Sequence, residues 1–142
     1  MQKASEIKRR IPKLIILRTE QTNLQAVIKE SKHALNSRLS ARLGDILLLS
    51  EKGSCQVTRG MKFMKQIEDS CGETKRIWQR SWKYLIEADK CEALSHPFKP
   101  QEERITDPLL KNYLQGGPFF YVLEEDAVEF YKRGLLQPLL LD

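Results

Sequence analysis

Apolar positions along this 142-residue chain follow two rhythms: unbroken or alternating runs that suit strands, and spacings of three and four that suit helices. After Pro12, the segment KLIILRT is aliphatic and β-branched, which predicts a buried strand over residues 13–18. Thr22 or Asn23 can then cap a helix on which Leu24, Val27, Ile28 and Leu35 share a face, over about 23–35. Gly44-Asp45 opens a second apolar run, Ile46–Leu49. The small polar EKGS after it reads as a turn, and SCQVTRGMKFMKQI as the antiparallel return strand. Its alternation puts Val57 and Arg59 on one face with Met61 and Phe63, and Gln56, Thr58 and Gly60 on the other. Gly60 marks a bulge or a close approach by another backbone.

Past the polar stretch EDSCGETKR the alternation resumes. Trp82, Tyr84, Ile86 and Ala88 oppose Lys83, Leu85, Glu87 and Asp89, which predicts a strand entered at Trp82, with Trp78 in the loop before it. Pro97, Pro100 and Pro108 break up residues 95–108. PLLKNYLQGG then suits a short helix stopped by Gly116-Gly117, and PFFYVL a last apolar strand. EEDAVEFYKRG closes with a helix that has acids in its first turn, bases in its last and Gly134 as its stop. The order β-α-β-β-β-α-β-α predicts an α+β domain on a mixed, strongly curved sheet or small barrel.

Composition narrows the class. With 41% apolar and 30% charged residues, the chain is that of a soluble globular protein, and no apolar run approaches the roughly 18 residues of a membrane span. Its length suits one domain over 1–142, with a basic N-terminal segment (about 1–12) and an apolar tail (about 135–142). Three widely spaced cysteines, with His33 and His96 far from any Cys pair, indicate free thiols in a reducing cytoplasm, or a nucleus in a eukaryote, and neither metal nor cofactor. His33, on the predicted helix beside Lys29 and Lys32, reads as solvent-facing. No nucleophile elbow, phosphate loop or metal-ligand spacing surrounds Ser50, Ser54, Cys55, Cys71 or His96, so catalysis is not expected.

The net charge of +5 is compatible with a polyanionic partner. Arg59 and Lys62 lie mid-chain, and Lys75, Arg76, Arg80 and Lys83 surround the two tryptophans; these six are candidate contacts to a nucleic-acid backbone.

GDILLLSEKGSCQVTRGMKFMKQIED, with Gly44-Asp45, Gly53-Ser54, Gly60 and Phe63-Met64, resembles the EVE and YTH branches of the PUA-like superfamily. Downstream, Trp78, Trp82–Ile86, Gly117, Phe119–Leu123 and Glu124-Glu125-Asp126 follow the same element order. The chain departs from EVE domains at Leu14–Leu17 and Tyr121-Val122, where those domains tend to have an aromatic and a polar or basic residue. The resemblance implies a module, such as the specificity domain of a McrBC-type restriction system, that holds a modified base, N6-methyladenine first, in an aromatic pocket. It implies Trp78 as the first candidate for the ring wall and Trp82 as the second, with Phe119 or Phe120 as a further face and Arg18 and Thr19 addressing the base. On pattern alone Trp82 and both phenylalanines also suit a core. Two alternatives remain: modification-independent RNA binding, and an interaction module. In the second, the tail Leu135–Leu141 docks on the domain, self-associates or leads into a motor domain.

Overall fold

The structure, a computed structural model, describes residues 11–103, 106, 107, 109 and 118–139. Two strands lie at its centre: β1 (Leu14–Thr19) and β3 (Ile46–Glu51) run parallel, from Leu14 beside Ile46 to Thr19 beside Glu51. Leu14–Leu17 and Ile46–Leu49 are buried on both faces, which is why they read as unbroken apolar runs. Asp45, itself buried, accepts the Lys13 and Arg42 N–H groups and pins the two strands at their start.

Between them come α1 (Gln21–Glu30) and β2 (Lys32–Leu35). The helix predicted over 23–35 therefore ends early and its last four positions are strand. Ser31 takes up a left-handed conformation, φ 56°. The turn is held from outside: the Ser31 carbonyl accepts the Ala88 N–H at 3.0 Å and its hydroxyl the Cys91 N–H at 3.3 Å. A serine in this region is unfavourable locally, and these tertiary bonds hold it there together with the cap from its own N–H to the Val27 carbonyl at 2.8 Å.

β3 turns back through β4 (Val57–Glu68). Leu49 faces Arg59 but Ser50 faces Val57, so Thr58 is the extra residue of a bulge. The bulge corrects the predicted facing. Val57 packs with Leu48 in one core cluster, whereas Met61 and Phe63 pack with Leu47 in the other. Gly60 is the close approach: a Cβ there would collide with Leu139 and lie 3.3 Å from the Leu47 carbonyl oxygen.

α2 (Glu73–Trp78) follows, then β5 (Tyr84–Ala88), β6 (Glu92–Phe98), β7 (Phe119–Tyr121) and α3 (Glu124–Lys132). Trp78 thus ends a short helix instead of lying in a loop, and Trp82 precedes its strand. Pro97 does not break β6. Among the described residues that strand pairs with β4 alone, through Val57–Phe98, Arg59–Ala93 and Gly60–Glu92, so the proline occupies an irregular edge where no ladder N–H is needed. The helix predicted in PLLKNYLQGG lies outside the described residues.

The strands form a mixed, open seven-stranded sheet in the order β2-β5-β4-β3-β1-β7, with β6 beside β4. One core cluster lies between the sheet and α3 with the tail; the other lies under α1 and α2. Leu136 and Leu139 of the tail are buried in the first cluster, and Ser95 N–H donates to the Gln137 carbonyl at 2.9 Å. Of the readings offered for the tail, docking on its own domain is the one seen here; Leu140 and Leu141 lie outside the described residues.

Candidate functional site

Beyond the C-terminal end of β1 a cleft of about 330 Å³ opens between α1, β2 and the connection from α2 to β5. This is the small end of the roughly 300–1,000 Å³ range of small-molecule sites. Its most buried polar pair is Thr19 and His33, with Oγ1 3.0 Å from Nε2. The other ring nitrogen, Nδ1, lies 2.9 Å from the Ala34 nitrogen and 3.1 Å from its oxygen. Burial pushes the imidazole pKa down from 6.5 to about 4, so His33 is neutral at neutral pH.

Two indoles form a corner of the cleft. Trp78 and Trp82 have ring centres 5.8 Å apart and planes at 80°, an edge-to-face pair. Trp78 is only 8% exposed and donates its ring N–H to the Asn23 carbonyl at 3.3 Å, which ties α2 to α1. Trp82 is half-buried and carries the Arg80 guanidinium 4.9 Å over its ring.

The Trp82 backbone is held from behind. Its N–H donates to the hydroxyl of Thr74 at 3.0 Å, and that residue is fully buried. The hydroxyl in turn donates to Asp69, which also accepts the Glu73 and Thr74 N–H groups at 2.8 and 2.9 Å. The Asp69 carboxylate thereby satisfies the first turn of α2. Its pKa is lowered, first by the Thr74 hydroxyl and then by the backbone donors, against some desolvation.

Arg18, Thr19, Trp78, Arg80 and Trp82 therefore line one cleft. Phe119 and Phe120 do not. Phe119 pairs with Leu17 and packs on the cluster beneath α1, and Phe120 pairs with Ile16 and packs on the opposite cluster. Among the candidate cations, Arg76 is engaged by Glu73 and Glu30, and Lys75 and Lys83 are exposed. Arg59 lies opposite Leu49 within the sheet, and Lys62 pairs with Ile46, level with the far end of β1 from Thr19. Sequence reasoning missed His33, Asn23, Asn36 and Lys52. The last forms an ion pair with Glu20 at 3.3 Å on the rim. Among the described residues no three His, Cys, Asp or Glu side chains gather as metal ligands, and no helix is long and apolar enough to cross a membrane.

No protein-family model and no curated protein matches the chain. Solved structures do. A variant of the ASCH protein of Zymomonas mobilis superposes with a TM-score of 0.59 at 7% identity, covering 84% of this chain and 96% of that one. The YTH domain of the Zygosaccharomyces rouxii MRB1 protein, in complex with N6-methyladenosine RNA, gives 0.57 at 10%, covering 87% and 86%. Rpa0253 of Rhodopseudomonas palustris gives 0.56 at 17%, covering 88% and 94%. At these identities the likeness is one of fold: the chain has a PUA-like α+β fold, of the kind found in ASCH and YTH domains.

Proposed function

We propose that this domain binds nucleic acid and takes one unstacked base into the cleft at the Trp78–Trp82 corner, with N6-methyladenine as the first candidate. The observation that carries this reading is the corner itself: two perpendicular indoles beside a buried Thr19–His33 pair, in a cleft sized for a small ligand. A base drawn from a strand loses its stacking, and an aromatic wall replaces it. A methyl on the base amine adds apolar area worth about 0.8 kcal/mol when buried, about fourfold in affinity. Neutral His33 and Thr19 can address a base edge without adding charge, and Arg80 keeps a cation beside the ring for the backbone. The YTH domain with the same fold lends this reading support, since it is complexed with N6-methyladenosine RNA.

The test compares binding of matched single strands, RNA and DNA, with and without N6-methyladenine, by fluorescence anisotropy. Trp82→Ala is the informative variant because that ring is only half-buried. It is expected to weaken binding between about fivefold and a hundredfold and to abolish the methyl preference, with a melting curve to verify that the variant, which loses some packing on the cluster beneath α1, is folded at the assay temperature. Equal binding of methylated and unmethylated strands by the parent would reduce the reading to modification-independent binding. Unchanged affinity in Trp82→Ala would remove the base from the cleft.

A further inference from the structure

Just outside the cleft, two cations share one ring. Arg38, after β2, places its guanidinium 5.3 Å from the centre of the Tyr84 ring, and the Lys83 ammonium lies 5.5 Å from the same centre. The position is contiguous with the cleft. Tyr84 pairs across the sheet with Leu35, a lining residue, and the Lys83 N–H donates to the side-chain oxygen of Asn36, another lining residue, at 3.0 Å. Arg38 and Lys83 are both exposed. Neither makes an ion pair with a carboxylate among the described residues, whereas Lys32, Lys52, Lys65, Arg76 and Arg133 each do.

Both cations thus lie within cation–π reach of one ring, which holds two exposed positive charges on the same small stretch of surface. An anion beside Tyr84 would be attracted by both. A guanidinium fork beside an ammonium suits a phosphate, the first giving paired donors and the second a point charge. We infer that Arg38 and Lys83, gathered over Tyr84, form a subsite for the backbone phosphate of a nucleotide flanking the one whose base enters the cleft. The inference rests on the cleft reading above, and it gives the strand a direction of exit: from the Trp78–Trp82 corner across the β2–β5 edge.

The experiment measures the affinity of a short single strand carrying one N6-methyladenine between about 50 and 200 mM salt, for the parent, for Arg38→Gln/Lys83→Gln and for Trp82→Ala, with the free N6-methyladenosine nucleoside as a second probe. Both exchanged cations are on the surface, and matched melting curves verify that the fold is retained. Loss of one phosphate contact lowers the slope of log affinity against log salt by about 0.7 for a single strand. The double variant is expected to show that drop, and to bind the nucleoside as the parent does. A parent-like slope in the double variant would overturn the subsite while leaving the cleft reading intact if Trp82→Ala still weakens binding. A reduced slope with no effect of Trp82→Ala would keep the phosphate contact and sink its link to a base in the cleft. Absence of strand binding by the parent would overturn both.

Discussion

Thr74 shows how much one small side chain can organise. It is inaccessible to solvent, yet its hydroxyl stands between the Asp69 carboxylate that caps α2 and the backbone of Trp82. Replacing it by valine keeps the volume and removes the hydroxyl, so Asp69 loses one donor and the Trp82 N–H loses its acceptor. Hydrogen bonds to charged groups contribute about 1.5–3 kcal/mol and an orphaned buried donor costs a similar amount. Thr74→Val is therefore expected to lower unfolding free energy by about 2–3 kcal/mol in urea titrations, and to change the tryptophan fluorescence of the folded state because Trp82 is no longer fixed. Thr74→Ser, which keeps the hydroxyl, is expected to lose less than half as much. A smaller loss in Thr74→Val than in Thr74→Ser would show that the methyl group, not the hydroxyl, matters. The two indoles differ in the same way. Trp78, nearly buried and bonded to Asn23, supports α1 and α2, whereas Trp82 is the ring with a face to offer.

Elements with matching local and tertiary demands could be read directly from the chain. β1 and β3 are aliphatic because both faces are covered, and α3 has acids at its start and a base in its last turn because the helix dipole favours them there. What could not be read is set by contacts distant in sequence. Ser31 ends α1 where the end of β5 and the connection after it bond it, so β2, and with it His33 of the cleft, was hidden inside a plausible helix. The bulge at Thr58 exchanges faces with no glycine or proline at that residue to announce it. Trp78, Trp82, Arg18 and Thr19 were legible as pocket candidates through the resemblance and Arg80 as a cation beside the tryptophans, and all five line the cleft. Tyr84 read only as one more strand residue. Gly60 was legible as a constraint, and the structure supplies its partner: Leu139 occupies the space a side chain would need. Gly60→Ala is expected to cost about 1–3 kcal/mol by overpacking. If the collision with Leu139 is the cause, adding Leu139→Ala, itself destabilising by about 2–5 kcal/mol, gives a double variant less destabilised than the sum. Strict additivity in thermal and urea unfolding would place the strain at the Leu47 carbonyl or the Leu48 side chain instead.

A histidine with a pKa near 4 makes the stability of the whole domain depend on pH between that value and the ordinary 6.5. Folded His33 titrates near 4 and an unfolded histidine near 6.5. Between those values the unfolded chain holds the additional proton, so stability is full above about pH 6.5 and falls as pH drops toward 4. From pH 7 to 4.5 the loss from this one group is about 2 kcal/mol. Asp69 acts lower down. Its pKa lies below the ordinary 3.8, so its contribution is intact above that value and disappears as pH falls through the folded pKa. Unfolding in urea at pH 7 and pH 4.5 separates the two, because Asp69 stays ionised at both. The parent is expected to lose about 2 kcal/mol more over that interval than His33→Gln, which cannot take up the proton. Parallel losses in both proteins would mean that water reaches His33 and that the imidazole titrates normally. That outcome would also bear on the cleft, since a solvated histidine near pH 6.5 would become a cation there on mild acidification. A dry, neutral one would keep the proposed strand binding free of any His33 titration above pH 6.5, so its salt dependence would carry no contribution from that imidazole.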